Sequence, residues 1–170
     1  MPTGKVYLIG AGPGDPGLLT LKGKRCLEEA EVVIYDYLVD PRILAYARPE
    51  AELIYAGKKS GGEAISQVAI NHLMIERASR GQVVARLKGG DPFLFGRGGE
   101  EAEELVAAGM PFEVVPGVTS ALAVPTYAGI PLTHRDYASA VAIVSGHKEV
   151  WENAPHLNWA TLAGVGGTLV

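Results

Sequence analysis

The sequence predicts an α/β fold, with a parallel-sheet N-terminal domain followed by an incomplete second α/β domain. Short apolar, β-branched segments recur every twenty to thirty residues, and helical patterns lie between most of them. Apolar runs of this length are typical of strands buried on both faces, and strand–helix alternation favours parallel pairing. Glycine makes up 22 of 170 residues, nearly twice the average of roughly 7%, and gathers beside these patterns.

The elements follow in order along the chain. Strands are predicted at residues 6–9, 32–35, 53–55, 83–87, 112–115 and 141–144. Helices are predicted at residues 18–30, 65–80, 99–109 and 119–128. Thr20 is the candidate N-cap of the first helix. The apolar stripe expected on the second helix consists of Ile65, Val68, Ala69, Leu73 and Ile75.

A domain boundary is predicted at Pro116-Gly117, which divides the chain into domains 1–115 and 116–170. The second part contains one strand pattern and, at residues 168–170, the opening of another. Two such strands would leave sheet edges unpaired, so we expect most of a second domain to be missing from this chain.

Composition excludes several classes of protein. Lys plus Arg number 15 and Asp plus Glu 19, giving a net charge of −4 without the broad basic field that nucleic-acid binding needs. The single cysteine, Cys26, excludes an intramolecular disulfide and a cysteine-rich metal site, and no metal is predicted. The longest apolar runs are strand-sized and no signal peptide is evident, so a soluble cytoplasmic protein without membrane partners is expected.

A glycine-rich turn, Gly-Ala-Gly-Pro-Gly-Asp at residues 10–15, follows the first strand. Such a turn lets the backbone approach a ligand at the carboxyl edge of a sheet. Asp15 occupies the third glycine position of a dinucleotide fingerprint, and Pro13 lacks a backbone donor. The pattern favours a ligand without phosphate, and a plain strand-to-helix turn is the alternative.

Charged residues follow the second and third strands. Asp36 is placed to hold a ribose hydroxyl or to accept a proton, with a capping aspartate as the alternative. Lys58 is placed to donate a proton or to pair with a substrate carboxylate, with a solvated loop lysine as the alternative.

The segment at residues 86–101 carries the strongest functional signal. Arg86 and Lys88 lie on the same side of a strand that should be buried, which is a local conflict typical of functional sites. Gly89 and Gly90 permit unusual backbone dihedrals, and Asp91 can accept hydrogen bonds from a ribose or an amine. A purely structural explanation would have to account for all of these features within sixteen positions.

Two later segments are also candidates for ligand contact. Thr119 and Ser120 open a helix of small residues and can hydrogen-bond a closely approaching ligand. His134 and Arg135 suit an anionic ligand, with a solvated loop as the alternative.

Together these motifs resemble the tetrapyrrole methylase family. The resemblance extends over essentially the whole chain. The glycine-rich opening and residues 89–92 are similar to the wider family, whereas residues 93–101 and 134–137 resemble its uroporphyrinogen branch. The remaining segments that carry it are 33–36, 57–58 and 131–133.

The resemblance implies a fold, a reaction and partners. It implies two α/β domains with S-adenosyl-L-methionine folded between them, usually in a homodimer and without a metal. It implies methylation of uroporphyrinogen III at C2 and C7, through precorrin-1 to precorrin-2, which leads to sirohaem and cobalamin. The other product is S-adenosyl-L-homocysteine.

The resemblance also implies roles for individual residues. Asp36 becomes the candidate proton acceptor and Lys58 the candidate proton donor. The positions that match cofactor contacts are Pro13, Gly89, Gly90, Asp91, Leu94, Thr119 and Ser120. The candidates for contact with the substrate carboxylates are Arg86, Arg97, His134 and Arg135, with Asp15 at the edge of the cleft.

Three alternatives remain open from the sequence. A later precorrin methyltransferase would share the family, and product mass would distinguish it. An NAD(P)-dependent oxidoreductase would use residues 10–14 and Asp36, although Asp15 disfavours it. A catalytically inactive fragment is the third, because family members continue past Val170 into segments that also contact the cofactor.

Overall fold

The computed structural model describes residues 4–57, 65–145, 158–164 and 166–170, and the chain divides into two compact units after Thr119. Among these described residues, the strands of the first unit are β1 (Lys5–Gly10), β2 (Val32–Tyr35), β3 (Glu52–Tyr55), β4 (Val83–Lys88) and β5 (Phe112–Val115). The α-helices described in this unit are α1 (Leu21–Glu29), α2 (Gln67–Ser79) and α3 (Gly98–Ala107).

The strands of the first unit form one parallel sheet in the order β3-β2-β4-β1-β5. β1 lies at the interior of this sheet, where Val6 is opposite Val84 on one side and Phe112 on the other. Because every strand runs in the same direction, the carboxyl ends of β1, β2, β4 and β5 meet at one edge. The predicted α/β class with a parallel sheet is confirmed.

Helix caps explain where two of the helices begin. The Thr20 hydroxyl accepts a hydrogen bond from the Gly23 N–H at 3.0 Å, which confirms Thr20 as the N-cap of α1. The Ser66 hydroxyl accepts from the Ala69 N–H at 3.2 Å and caps α2 in the same way. Within the described ranges, no helix combines the length and apolarity needed to cross a membrane.

The core has two layers, one on each face of the sheet. Side chains of a strand alternate between faces, so Ile9 packs with Leu27 of α1 while Leu8 packs on the opposite side with Met74 and Leu105. Fully burying a side chain of this kind contributes about 1.5–3 kcal/mol. The positions 84, 86 and 88 of β4 share the face that α2 and α3 cover, and this determines the surroundings of the two charged residues there.

The apolar stripe predicted for the second helix is confirmed only in part: Ile65, Leu73 and Ile75 are half-buried against the core, whereas Val68 and Ala69 are exposed. α2 begins at Gln67, so Ile65 lies outside it, and Val68 is 66% exposed. The buried side chains are Ile70, Asn71, Met74 and Ala78. The helical repeat places 70, 74 and 78 along one line facing the sheet, and the predicted residues 65, 73 and 75 lie beside that line.

In the described part of the second unit, the helices are α4 (Ser120–Tyr127) and α5 (Trp159–Ala163), and the strands are β6 (Val141–Ala142) and β7 (Thr168–Leu169). β6 and β7 pair in parallel, with Val141 opposite Thr168. The Thr168 hydroxyl donates to the carbonyl of Leu132 at 2.6 Å. The strand predicted to open near residue 168 is therefore present, and the strand predicted at 141–144 is shorter than expected.

Candidate functional site

The loops that follow β1 and β4 are hydrogen-bonded to each other at the carboxyl edge of the sheet. The Ala11 N–H donates to the Lys88 carbonyl at 2.7 Å. Gly12 and Gly90 then exchange two backbone bonds, from Gly12 N–H to Gly90 C=O at 3.1 Å and from Gly90 N–H to Gly12 C=O at 2.7 Å. The two glycine-rich segments predicted to hold a ligand therefore form one continuous backbone surface.

Asp91 joins a third loop to this surface. One carboxylate oxygen, Oδ2, accepts from the Gly117 N–H at 3.0 Å, and the other, Oδ1, accepts from the Phe93 N–H at 2.8 Å. Gly117 lies in the loop after β5. Asp91 thus connects two loops through its backbone partners. A carboxylate offers about four lone-pair sites, so two further bonds to a ligand are still geometrically available.

Glycine is required where these three loops meet. A Cβ on Gly117 would lie 2.1 Å from the carbonyl oxygen of Gly90 and 2.7 Å from the Cα of Gly10. Gly90 itself has φ +65°, a left-handed conformation that side-chain-bearing residues rarely adopt. The backbones approach closely because none of the three residues has a side chain.

A cluster of charged side chains lies beneath this edge, on the face covered by α2 and α3. The Glu101 carboxylate is fully buried, and its Oε1 accepts from Arg86 Nε at 3.0 Å and from Lys88 Nζ at 2.9 Å. Gln67 of α2 donates to the same oxygen at 3.1 Å. The expected placement of Arg86 and Lys88 on one side of β4 is borne out, since both reach one carboxylate.

Arg86 links this cluster to Asp36 at the end of β2. Its Nη2 lies 3.6 Å from Asp36 Oδ2, which is an ion-pair distance. The other Asp36 oxygen, Oδ1, accepts from the Leu38 N–H at 3.1 Å. The Asp36 side chain is 22% exposed, so it is open to a ligand while Arg86 is enclosed.

Lys88 has an altered titration because of its surroundings. Burial lowers the pKa of this lysine below its usual value, and the positive charge of Arg86 lowers it further. The carboxylates of Glu101 and Asp36 raise it, without reversing the overall direction. The sheet edge therefore contains an amine whose protonated form is less favoured than that of an exposed lysine.

Glu101 is the residue of this site that sequence reasoning missed. The glutamates of the third helix fit a favourable charge at a helix N-terminus, which explains Glu100 but not a buried side chain. The available signal was the spacing: Glu101 lies four residues before the buried Leu105 and so shares the face that packs on the sheet. A buried pair of cations on a strand needs such a carboxylate.

The first glycine-rich turn contains the candidates Pro13 and Asp15 and leads into a short 3₁₀ helix, Pro16–Leu18. Asp15 is the N-cap of this helix, and its carboxylate accepts from the Gly17 N–H at 2.7 Å. Pro13 is half-buried in the same turn. Asp15 is exposed, as a residue at the edge of a cleft would be.

The segment after Asp91 adopts a tight loop before α3. Phe95 and Arg97 have φ +54° and +57°, left-handed conformations that are uncommon for residues with side chains. The Gly98 N–H donates to the Pro92 carbonyl at 3.0 Å and closes the loop. Phe93 and Phe95 are each more than half exposed, and Arg97 pairs with Glu100 at 2.7 Å on the surface. Leu94, which lies between Phe93 and Phe95 in the sequence, is half-buried.

The remaining candidates are distributed over both units. Thr119, half-buried, closes the first unit, and Ser120 is the exposed first residue of α4 in the second. In the second unit, the His134 Nδ1 accepts from the Asp136 N–H at 3.2 Å, its ring lies 4.7 Å from that of Tyr137, and Arg135 is exposed. Lys58 lies outside the described residues.

The chain is similar to proteins of known name along almost its whole length. A uroporphyrinogen-III C-methyltransferase of Synechocystis sp. is 56% identical over 167 residues, which are 98% of this chain and 64% of the relative. An S-adenosyl-L-methionine-dependent uroporphyrinogen III methyltransferase of Methanosarcina barkeri is 53% identical over 98% of this chain and 66% of its own length. This chain therefore spans less than two thirds of the length of these curated relatives.

A solved structure is also similar to this chain. Uroporphyrin-III C-methyl transferase of Thermus thermophilus, complexed with S-adenyl homocysteine, aligns with a TM-score of 0.70 and 55% identity. The alignment covers 84% of this chain and 56% of that one. The family described as Tetrapyrrole (Corrin/Porphyrin) Methylases matches residues 5–170. The chain belongs to the tetrapyrrole methylase family.

Proposed function

We propose that this protein is an S-adenosyl-L-methionine-dependent C-methyltransferase that converts uroporphyrinogen III through precorrin-1 to precorrin-2, on the route to sirohaem and cobalamin. The observation that carries the proposal is the meeting of the loops after β1, β4 and β5, which Asp91 and the Gly12–Gly90 bonds hold together. The printed names of the two curated relatives support the substrate and the methyl donor.

The residues at the sheet edge fit this cofactor. S-adenosyl-L-methionine carries a sulfonium cation, an amino acid and an adenosine, and it has no phosphate. Asp15, Asp36 and Asp91 bring three carboxylates to the loops after β1, β2 and β4, which suits a cationic ligand better than a pyrophosphate. Pro13 lacks a backbone donor at the position where a dinucleotide would use one.

We assign the cofactor contacts to the positions that carry the family resemblance. Backbone atoms of Gly89 and Gly90 and the spare acceptor sites of Asp91 would hold its polar parts. The remaining assigned positions are Pro13, Leu94, Thr119 and Ser120. The complex of the Thermus thermophilus enzyme with S-adenyl homocysteine supports a nucleoside thioether or sulfonium in this family.

The reaction requires the protein to position the methyl donor and the macrocycle and to transfer a proton. When bound, the cofactor supplies an electrophilic methyl group on a sulfonium sulfur. The electron pair of a macrocycle carbon forms the new carbon–carbon bond while the bond from the methyl group to sulfur breaks and its electron pair stays on sulfur, which gives S-adenosyl-L-homocysteine. The macrocycle then loses a proton. Asp36, exposed at the sheet edge and oriented by the Leu38 N–H, is the proposed acceptor of that proton. Lys58 is the proposed proton donor.

The substrate carries eight carboxylates, so exposed basic groups are its proposed partners. Arg97, His134 and Arg135 are exposed and keep this assignment. Arg86 does not, because its side chain is 4% exposed and its donors are directed at Glu101, Asp36 and backbone carbonyls. Phe93 and Phe95 offer exposed apolar area for the face of the macrocycle.

We further propose that the enzyme acts in the cytoplasm as a homodimer, as the family resemblance implies.

The test is methyl transfer from labelled S-adenosyl-L-methionine to uroporphyrinogen III, followed by mass spectrometry of the product. Incorporation of two methyl groups is the expected result. Binding of S-adenosyl-L-homocysteine, measured by titration calorimetry, checks the cofactor assignment separately. A product methylated only when a precorrin is supplied would reassign the protein to a later methyltransferase, and binding of neither molecule would overturn the proposal.

A further inference from the structure

The buried carboxylate of Glu101 has no role in the reaction proposed above. It comes from the first turn of α3 and lies wholly inside the first unit. Its Oε1 receives three donors, from Gln67, Arg86 and Lys88. Among the described residues, its other oxygen is buried without a hydrogen-bond partner. Burying a carboxylate in this way destabilises the fold unless attraction to the neighbouring cations offsets the loss of hydration.

Arg86 is the residue through which Glu101 reaches the sheet edge. Arg86 lies opposite Ile34 in the register of β2 and β4, so Asp36 follows two residues later on the same face. The guanidinium is fixed at one side by Nε to Glu101 at 3.0 Å and by Nη1 to the Ile34 carbonyl at 3.4 Å. Its remaining nitrogen, Nη2, lies 3.6 Å from Asp36.

We propose that Glu101 is a positioning residue for methyl transfer: it holds the Arg86 guanidinium so that Nη2 is directed at the Asp36 carboxylate. This inference rests on the proposed role of Asp36 as proton acceptor. Glu101 touches neither substrate nor cofactor in this scheme and acts only through Arg86. The planar guanidinium makes this possible, because bonds to Nε and Nη1 determine where Nη2 lies.

The cluster is poorly explained as a stabilising device. Buried ion pairs are often no better for stability than apolar side chains of similar volume, and the surrounding layer is apolar, with Ile34, Met74 and Leu105. Lys88 supplies a further argument. Without Glu101, two neighbouring buried cations would have only Asp36 as a carboxylate partner, whereas Glu101 gives Lys88 a contact at 2.9 Å and shares the same oxygen with Arg86.

The main test is a mutant cycle with Glu101→Gln and Asp36→Asn in the purified protein. Glu101→Gln is expected to lower kcat by up to about a hundredfold, the scale of an ångström-sized misplacement, and to leave KM and S-adenosyl-L-homocysteine binding nearly unchanged. In the Asp36→Asn background, Glu101→Gln is expected to add no further loss. A merely structural role would instead reduce activity by the same factor in both backgrounds.

A matched control is Glu113→Gln, because Glu113 also pairs with two cationic side chains, Lys5 and Lys22, but lies near the amino end of β5, away from the carboxyl edge of the sheet. It should leave kcat unchanged. Glu101→Gln leaves two buried cations with less compensation, which can prevent folding. The double variant Glu101→Gln/Lys88→Gln keeps the charge balance and should show the same loss of kcat.

Crystal structures of the variant and of the unsubstituted protein test the inference independently of enzyme activity. In the charge-balanced variant, Arg86 Nη2 is expected to move out of ion-pair range of Asp36. An unchanged contact, an unchanged kcat or equal losses in both backgrounds would each overturn the inference. Absence of methyl transfer by the unsubstituted protein would instead overturn the proposed function, and the crystal comparison would still show whether Glu101 directs Arg86.

Discussion

At the scale of single residues, the most informative feature is the charge pair on β4. Arg86 and Lys88 lie in a strand whose neighbours are Val, Ala and Leu, and both are 3% exposed. They are tolerated there because Glu101 and Asp36 accept from them or lie within ion-pair distance. The conflict between a buried strand and its charges could be detected in the sequence, whereas the four-residue spacing of Glu101 and Leu105 was the sole local signal for the carboxylate that resolves it.

Asp36 is expected to be the residue most sensitive to loss of charge. Asp36→Asn keeps an oxygen that can accept from the Leu38 N–H, yet it removes the proton acceptor. Loss of a general base typically costs about 10²–10⁴-fold in rate, so kcat should fall within that range while S-adenosyl-L-homocysteine binding persists. The measurement is steady-state methyl transfer together with titration calorimetry.

Asp40→Asn provides the control for that substitution. Asp40 follows in the same loop, caps the next 3₁₀ helix and pairs with Arg42 on the surface. It should keep full activity. Full activity of Asp36→Asn, or a loss explained entirely by weaker binding, would contradict the role assigned to Asp36.

Glu113 should stabilise the folded protein when its carboxylate is ionised, and this stabilisation should be lost in acid. Hydrogen bonds from Lys22 and then Lys5 lower the pKa of this carboxyl from 4.5 to about 2. Because the folded pKa lies below the unfolded one, the contribution is complete above about pH 4.5 and is lost as pH falls through about 2.

Urea unfolding of the unsubstituted protein and of Glu113→Gln measures this effect. The stability difference between them should be greatest near neutral pH and shrink across the acid range named above. A difference that stays constant from neutral to acid pH would show that the lysine contacts do not stabilise the ionised carboxylate.

At the scale of elements, the site depends on how three strand ends are joined. β1, β4 and β5 are neighbours in the sheet although they are far apart in the chain. Their following loops are held by the paired Gly12 and Gly90 and by the Asp91 carboxylate on Gly117. Helix starts were easier to predict from local residues, as Thr20 shows, whereas the buried face of α2 depended on which of its residues pack against the sheet.

Gly117→Ala should disturb all three loops together. The new Cβ would lie 2.1 Å from a backbone oxygen of Gly90, and backbone atoms cannot yield as a flexible side chain can. We expect a loss of about 1–3 kcal/mol in stability. We also expect about tenfold weaker binding of S-adenosyl-L-homocysteine, equal to about 1.4 kcal/mol.

Gly99→Ala is the matched control, because a Cβ there would meet nothing within 4 Å. Within a helix this change should leave stability unchanged or raise it by up to about 1 kcal/mol. Denaturant unfolding and calorimetry measure both variants. Equal behaviour of the two would show that the close approach at Gly117 does not matter.

At the scale of the whole molecule, a parallel sheet places the predicted ligand contacts that follow β1, β2 and β4 at one edge. Asp36, Asp91 and the glycines follow different strands, yet all of these strands end on the same side. The family membership agrees with this arrangement, since the match extends over residues 5–170. Binding at such an edge should therefore stabilise the folded chain as a whole.

S-adenosyl-L-homocysteine at a hundred times its dissociation constant should add about 2.7 kcal/mol to the free energy of unfolding and raise Tm by several degrees. Differential scanning calorimetry measures the shift. NADPH at the same concentration serves as the comparison and should produce none, because Asp15 and Pro13 disfavour a pyrophosphate. A larger shift with NADPH would favour the oxidoreductase alternative.

The sequence by itself determined the α/β class, the parallel sheet, the N-cap at Thr20 and the strand positions to within one or two residues for the first unit. These follow from local patterns of apolar, capping and turn residues, which act over a few positions. Only the tertiary structure decided that Asp91 holds Gly117, that Arg86 is enclosed and that Glu101 is its partner. Those contacts join residues 15 to 26 positions apart, and only packing of helix and loop against the sheet brings them together.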